Sequence, residues 1–405
     1  MLQRMIFPIL TYLLMACGAG DNQHSKNTSN NHFKPTPLNE KEKEYYVNAI
    51  TPLYQSILGQ RGFSGGFLAA KNGEIVFEDY KGFANYSTKE PITANTPIHL
   101  ASISKTFTAM IILRLMEQGR LNLEDNVQRY LPTFPYENIT IKNLLTHRSG
   151  LPNYVYFMET KTIYDIVKRR NKKGRIIGTR RIARGKINGF KGLATNLDVL
   201  QWMIDKKPPI EAYPDRNFKY CNTNYVLLAL IAERASGVPF PDYARDSVFT
   251  PLGMQNSFVF SMKDTANYLP SYQYNNVPYK IQTFDCVFGD KNVYSTVRDL
   301  LLWDKALYTG TFVSKATLEQ AFIGYSNERR GTHNYGLGWR LLIQPEETIV
   351  YHNGWWHGNN TVFTRLIKDT ATIIVLGNKY NRNIYATRKI NAVFTGSADT
   401  TKMIE

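Results

Sequence analysis

The sequence predicts a mixed α/β protein whose single sheet is built from both ends of the chain, with a helical middle inserted between them. Three observations carry this. Strand-like segments lie near both ends: GGFLAAKNGEIVFEDY at residues 65–80, and four runs between residues 335 and 378. Helix-like spacing of apolar residues is concentrated between them, at 102–118 and 225–235. A chain of 405 residues with 43% hydrophobic residues can bury a sizeable core, which excludes a disordered or fibrous protein. Strands at both ends with helices between make one interleaved unit.

The first stretch, MLQRMIFPILTYLLMACGAG, reads as a targeting segment. Arg4 supplies a positive start, residues 5–15 an apolar run, and Ala16-Cys17 a small-residue cleavage site. The apolar run is too short to span a bilayer, which needs roughly 20 residues. Leu14-Met15-Ala16-Cys17 resembles the lipobox of bacterial lipoproteins, so residues 1–17 are expected to be a signal and Cys17 the site of lipidation. The protein would then sit in the bacterial cell envelope, held to the membrane through a lipid anchor. Residues 18–44, rich in Asn, Ser and Lys, read as a flexible tether, and residues 45–395 as the folded domain, followed by a tail at 396–405. Besides Cys17 there are two cysteines, Cys221 and Cys286. An exported pair can form a disulfide, or both can be buried free thiols. No C-x-x-C pair or histidine cluster argues for a metal, and no cofactor is expected.

Within the domain, residues 65–80 read as a hairpin turning at Asn72-Gly73. The helix at 102–118 has apolar residues at 103, 107, 110, 111 and 115 and a plausible stop at Gly119. The formal charge is +16, but residues 168–191 carry eleven Lys or Arg and no Asp or Glu, and removing them leaves +5. The basicity belongs to one segment. That segment has one aromatic, Phe190, and no nucleic-acid module, so nucleic acid is not an expected partner. Its charge density and five glycines over 168–192 predict a mobile surface excursion rather than core, either a solvated loop without a role or, if functional, a segment facing an anionic envelope surface. The helix at 225–235 stops at Gly237; strands follow at YGLGWRLLI, TIVYHNG, NNTVFTRLI and ATIIVLGN, and a closing amphipathic helix at 384–393.

Chemistry enters at HLASISKTFTAM, residues 99–110. Ser102 and Lys105 are three apart at a helix start, on one face and within hydrogen-bonding reach. A serine hydroxyl is a poor nucleophile until a base takes its proton, and a buried lysine, or one near another cation, can serve as that base. The backbone N–H of Ser102 can also face a developing oxyanion. Taken alone the pattern also fits an ordinary helix cap. Tyr220-Cys221-Asn222 precedes the next helix; its phenol can exchange protons with Ser102, and Asn222 can bond Lys105 and a substrate carbonyl. His352-Asn353-Gly354 lies on a strand, where Gly354 would admit a close-lying substrate and the backbone N–H of Trp355 would be a second oxyanion donor.

In these three motifs, in this order, the chain resembles the serine penicillin-recognising enzymes, in the branch of class C β-lactamases, D-alanyl-D-alanine carboxypeptidases and related esterases. LLTHRSGLPNY (144–154), NTNYVLLALIAERASG, PLGM (251–254), YSTVRDL (294–300) and YGLGW (335–339) add to the resemblance, which covers roughly residues 45–395. It implies a β-lactamase/transpeptidase-like fold: an antiparallel sheet flanked by helices, an all-α region, and the active site between them. It implies that Ser102 is acylated, that Lys105 and Tyr220 share proton transfer, and that Asn222 and His352 orient substrate. His147 lies in a family stretch outside these motifs and reads as structural. Three departures stand out. His352 occupies the position where antibiotic-hydrolysing members usually carry Lys, which weakens recognition of a substrate carboxylate. Cys221 replaces a small serine. Asp290 and Lys291 stand where small residues are usual. The expected function is an exported serine hydrolase acting on an amide or ester, with a small molecule or peptidoglycan-derived peptide as substrate and peptidase, esterase and β-lactamase work all open. The alternative is a sensor of the same fold that acylates without turning over.

Overall fold

The computed structural model describes residues 36–59, 62–328 and 331–396, so Cys17, its lipobox and most of the expected tether lie outside the described residues. In chain order the elements that matter here begin with α1 (Glu40–Tyr54), β1 (Gly65–Lys71), β2 (Glu74–Lys81) and α2 (Ser104–Glu117). The middle holds β3 (Lys161–Arg170), β4 (Ile176–Ile187), α3 (Asn222–Ser236) and α4 (Val297–Thr309). The last part holds β5 (His333–Tyr335), β6 (Arg340–Ile343), β7 (Thr348–Trp356), β8 (Asn359–Leu366), β9 (Ala371–Gly377) and α5 (Asn391–Thr395).

The main sheet is antiparallel throughout, in the order β5-β6-β7-β8-β9-β1-β2. The two ends of the domain meet where β1 pairs with β9, Gly65 opposite Gly377. The predicted hairpin is present, with Asn72 and Gly73 both at positive φ (52° and 74°), the turn that suits the right-handed strand twist. Successive side chains of a strand point to opposite faces, and here both faces are covered. Phe67, Ala69, Val362, Ile373 and Val375 pack under α1 and the C-terminal segment. Leu68, Ala70, Phe363, Ile374 and Leu376 pack against the helical region on the other face. That is why β1 and β9 read as continuous apolar runs rather than alternating ones. A buried ion pair between Arg365 of β8 and Asp304 of α4 ties the sheet to its covering helix.

Helix α2 is buried on nearly every side, Ser104, Lys105, Thr106 and Thr108 included. It lies at the centre of the molecule, with Phe107 stacked on Trp303 of α4 at 4.6 Å between ring centres. Three expectations need correction. The tether boundary at residue 44 is too late, because α1 starts at Glu40, where Asn39 and Glu42 form a reciprocal capping box. The closing helix begins as a 3₁₀ segment, Arg382–Ile390, before α5. The basic segment lies on the surface as expected, but it is part of a regular two-stranded ribbon, β3 with β4, that starts at Lys161. Its β-branched residues favour extended backbone, and strand pairing satisfies the backbone groups that charge repulsion alone would leave to water. Among the described residues no helix is long and apolar enough to cross a membrane.

Candidate active site

Ser102 sits in a 3₁₀ turn, Ala101–Ile103, that leads directly into α2. The turn is held from several sides. The Leu100 N–H donates to the Val293 carbonyl at 2.8 Å, and the Leu100 carbonyl accepts from the Thr361 hydroxyl at 2.7 Å. The Ala101 N–H donates to Nδ1 of His99 at 3.1 Å, and Nε2 of His99 lies 3.0 Å from the Asn292 side-chain oxygen. His99 is fully buried, and burial pushes its pKa down to about 4, so it is a neutral strut at ordinary pH. Ala101 itself has φ +50°, a left-handed conformation that a non-glycine residue adopts at a cost of order 1–3 kcal/mol. This strain is the price of presenting Ser102 where it stands. Ser104 faces elsewhere, its hydroxyl accepting the Val293 N–H at 3.0 Å.

Lys105 is buried, and its Nζ donates to Ser102 Oγ at 3.0 Å and to the Asp290 carbonyl at 2.7 Å. It also lies over the rings of Tyr220 and Tyr225, at 5.1 and 5.6 Å. The second hydrogen-bond partner expected for it, Asn222, is replaced by the Asp290 backbone. Asp290 and Lys291, noted above as departures, form a closed polar cluster behind this contact. Their side chains pair at 3.5 Å, the Tyr154 hydroxyl donates to the Asp290 carboxylate at 3.1 Å, and Lys291 hydrogen-bonds Tyr154. Burial lowers the Lys291 pKa from its ordinary value.

Asn222, the first residue of α3, and Tyr220 in the loop just before it reach the same place. His147, fully buried, accepts the Cys221 N–H on Nδ1 at 3.1 Å, and its ring lies 4.2 Å from that of Tyr220. Burial, with Lys105 next in weight, holds His147 well below the usual histidine range. It therefore braces the second motif as a neutral ring, the structural part the sequence assigned to it. Cys221 and Cys286 are both free and buried, and burial raises each thiol to about 11. Cys221 is packing, with its sulfur 3.5 Å from the Pro152 carbonyl.

The third motif lies on β7. Pairing with β6 ends at Tyr351, so residues 352–356 are left facing the helical region. His352 departs from expectation: it is fully buried, with Nε2 3.2 Å from the Tyr335 hydroxyl and Nδ1 2.7 Å from the Asn353 carbonyl. Burial first, then the cations Arg340 and Lys105, drives its pKa well below 6.5. It stands behind the site as a neutral ring. Gly354 is explained by the chain's own backbone, since a Cβ there would lie 2.5 Å from the Leu100 carbonyl and 2.3 Å from the Thr361 hydroxyl. The glycine lets β7 press against the turn that carries Ser102. The Trp355 side chain is 65% exposed, and its indole N–H donates to the His357 carbonyl.

These pieces surround one cavity of about 390 Å³, whose wall includes Ser102, Tyr220, Asn222, Arg340, Asn353 and Trp355. A larger cavity, about 770 Å³, lies elsewhere and contains none of the three motifs. Among the described residues, three buried polar atoms on the smaller cavity's wall lack a hydrogen-bond partner: Asn222 Oδ1, Asn353 Oδ1 and Arg340 Nε. Unsatisfied groups of this kind cost about 1–3 kcal/mol each, and on a cavity wall beside Ser102 a bound substrate is one group that can satisfy them. Arg340 also lies over the Tyr220 ring at 5.2 Å, opposite in kind to the neutral His352. Sequence reasoning missed Arg340, Asn353, Asn360, Tyr380, Arg382 and Tyr385 as wall residues. Arg340 directly follows YGLGW and Asn353 is the middle of HNG, so both were within reach; nothing in the sequence marks Arg382 or Tyr385.

A family model described as "Beta-lactamase" matches residues 50–393. The chain is 33% identical over 347 residues to penicillin-binding protein 4* of Bacillus subtilis (strain 168), covering 82% of this chain and 71% of that one. Its fold is similar to that of the octameric penicillin-binding protein homologue from Pyrococcus abyssi, with TM-score 0.69 and 23% identity over 87% of this chain and 78% of the other. A D-amino acid amidase from Ochrobactrum anthropi SV3 has TM-score 0.62 and 20% identity, with 88% and 96% covered. The motifs, the sheet and these matches agree: the chain belongs to the β-lactamase family of serine hydrolases.

Proposed function

We propose that the protein is an exported hydrolase that cleaves an amide or ester through an acyl-enzyme on Ser102, with a small peptide bearing a free carboxylate as its substrate class. The observation that supports this reading best is the convergence of the Ser102–Lys105 hydrogen bond with three unpartnered buried polar atoms on one cavity wall.

Ser102 Oγ attacks the carbonyl carbon while its proton passes to the Lys105–Tyr220 pair. The carbonyl oxygen, gaining charge, is met by the backbone N–H groups of Ser102 and Trp355. Collapse breaks the bond to the leaving group, which takes the proton back by way of Tyr220. Water then attacks the ester, activated by the same pair, and frees Ser102. Asn222 orients the amide of the acyl part. Arg340 takes the carboxylate-binding part that a lysine at position 352 would otherwise play, because a guanidinium suits a planar carboxylate and stays charged at any working pH. The names of the similar proteins, penicillin-binding proteins and a D-amino acid amidase, support amide chemistry.

Purified protein is to be assayed against a D-alanyl-D-alanine peptide, a cephalosporin and short acyl esters, with mass mapping of the acylated serine. The expected label is on Ser102 alone, and Arg340→Gln should raise KM for the free-carboxylate peptide at least tenfold while sparing its amidated form. A label on Ser104, or labelling that survives Ser102→Ala, overturns the assignment. Anchoring through Cys17 completes the reading, and Cys17→Ser should move the protein from the detergent to the aqueous phase of a detergent split.

A further inference from the structure

The ribbon formed by β3 and β4 has no place in the hydrolytic reading. Its strands pair only with each other, and from residue 161 to 188 every residue except Thr162 is exposed. At about 3.3 Å per residue, ten paired residues extend for roughly 33 Å. An isolated two-stranded hairpin is marginal in water. This one also leaves large apolar side chains in solvent, with Ile166 66%, Ile177 59% and Ile187 56% exposed.

The register shows how the apolar and charged residues are combined. Ile166 lies opposite Arg181 and Val167 opposite Arg180, so each of these neighbouring rungs pairs an aliphatic side chain with a cation, and the rungs face opposite sides. The turn adds Lys172, Lys173 and Arg175. The one acid in the ribbon, Asp165, lies 3.8 Å from Arg184. A soluble polyanion needs only the cations. A protein partner of ordinary surface charge does not need eleven of them. An anionic lipid surface uses both sets: headgroups take the guanidinium and ammonium groups, and the acyl boundary takes the aliphatic ones.

We propose that the β3–β4 ribbon docks the protein on an anionic phospholipid bilayer, independently of any lipid on Cys17. The cations bring it to the surface, and the aliphatic side chains between them enter the interface. The contact orients the domain at the membrane without touching the cleft, whose cavity wall includes no ribbon residue.

The test uses the full chain carrying Cys17→Ser, so that acyl chains contribute nothing, and measures co-sedimentation with vesicles. Vesicles of phosphatidylcholine mixed with phosphatidylglycerol should bind at least about tenfold more tightly than phosphatidylcholine alone, and the difference should fade as salt rises. A charge variant, Arg180→Gln with Arg181→Gln and Arg184→Gln, should lose most of that difference. An aliphatic variant, Ile166→Ser with Val167→Ser and Ile182→Ser, should weaken binding severalfold at unchanged charge. Hydrolysis of a small soluble ester should be unaltered in both, which reports that they fold. Equal binding to the two vesicle types overturns the proposal. So does an aliphatic variant that binds vesicles like its parent while the parent binds soluble polyphosphate equally well, since the ribbon would then be a polyanion site.

Discussion

The two walls of the cleft treat their key basic residue in opposite ways. On the helix wall, Lys105 is buried but well partnered, by Ser102 Oγ, the Asp290 carbonyl and two aromatic faces. On the sheet wall, His352 is equally buried, yet its partners are a tyrosine hydroxyl and its own neighbour's carbonyl, and its nearby charges are the cations Arg340 and Lys105. One environment suits an amine that exchanges a proton with a serine; the other keeps an imidazole neutral. The positive charge of the sheet wall has been moved one strand over, from β7 to Arg340 on β6. Motif spacing locates residues, but the charge they carry depends on what is packed around them.

The strongest way to test the helix wall is to remove its amine. Lys105→Met keeps bulk and removes the hydrogen bond to Ser102. General acid–base participation of this kind is worth about 10²–10⁴-fold, so kcat/KM for an ester should fall by that amount with KM little changed. A loss below tenfold would move the proton-transfer role away from Lys105.

On the sheet wall the complementary change is His352→Lys. An ammonium there would be buried beside Arg340 and Lys105 with no acidic partner among the residues shown around His352. An unpaired buried charge costs about 3–5 kcal/mol, so the thermal midpoint should drop clearly, and β-lactam turnover should gain nothing. A variant as stable as the parent, with higher β-lactam turnover, would show that position 352 reaches the substrate after all.

How much of this was legible beforehand follows the same division. The sheet from both ends, the Asn72-Gly73 turn and the Ser102–Lys105 contact are set by local spacing, and the sequence shows them. The burial of His352, the Asp290 carbonyl as Lys105's partner and the recruitment of Arg340 depend on segments far apart in the chain, and periodicity carries no information on them. The ribbon is a different case. Its charge density predicts mobility, yet Ile163, Ile166, Val167, Ile176, Ile177 and Ile182 in and beside the same stretch are strong strand formers, and they lie in paired strands.

A smaller effect tests how the walls meet. Gly354→Ala puts a Cβ 2.5 Å from the Leu100 carbonyl, which β7 or the turn carrying Ser102 must yield to. Overpacking of this kind costs about 1–3 kcal/mol. Because the displaced backbone leads to Ser102, kcat should fall by more than the loss of folded protein explains. Equal kcat in the folded fraction would mean that the turn does not need β7 to hold its shape.

The gentlest test is pH, and it bears on the three buried histidines that brace the cleft. His99, His147 and His352 are buried and neutral, with pKa values held below the ordinary 6.5. Above pH 6.5 neither the folded nor the unfolded chain protonates them, and they leave stability unchanged. As pH falls below 6.5 the unfolded chain gains protons that the folded chain refuses, so stability declines by roughly 1 kcal/mol per pH unit for each residue, until its folded pKa is reached. For His99 that limit is about 4. Three buried or half-buried carboxyls, Glu233, Asp299 and Asp304, are shifted upward by burial and act in the opposite sense, gaining stability on protonation nearer their own range. Across the interval from pH 6.5 to 5 the histidines therefore pull stability down. Urea unfolding across it should show a falling midpoint, and His352→Gln, which keeps a neutral polar group, should reduce the slope by about a third with no gain of charge on the sheet wall. If the slope is unchanged, His352 is protonated in the folded state, and the reading of position 352 as a neutral ring does not hold.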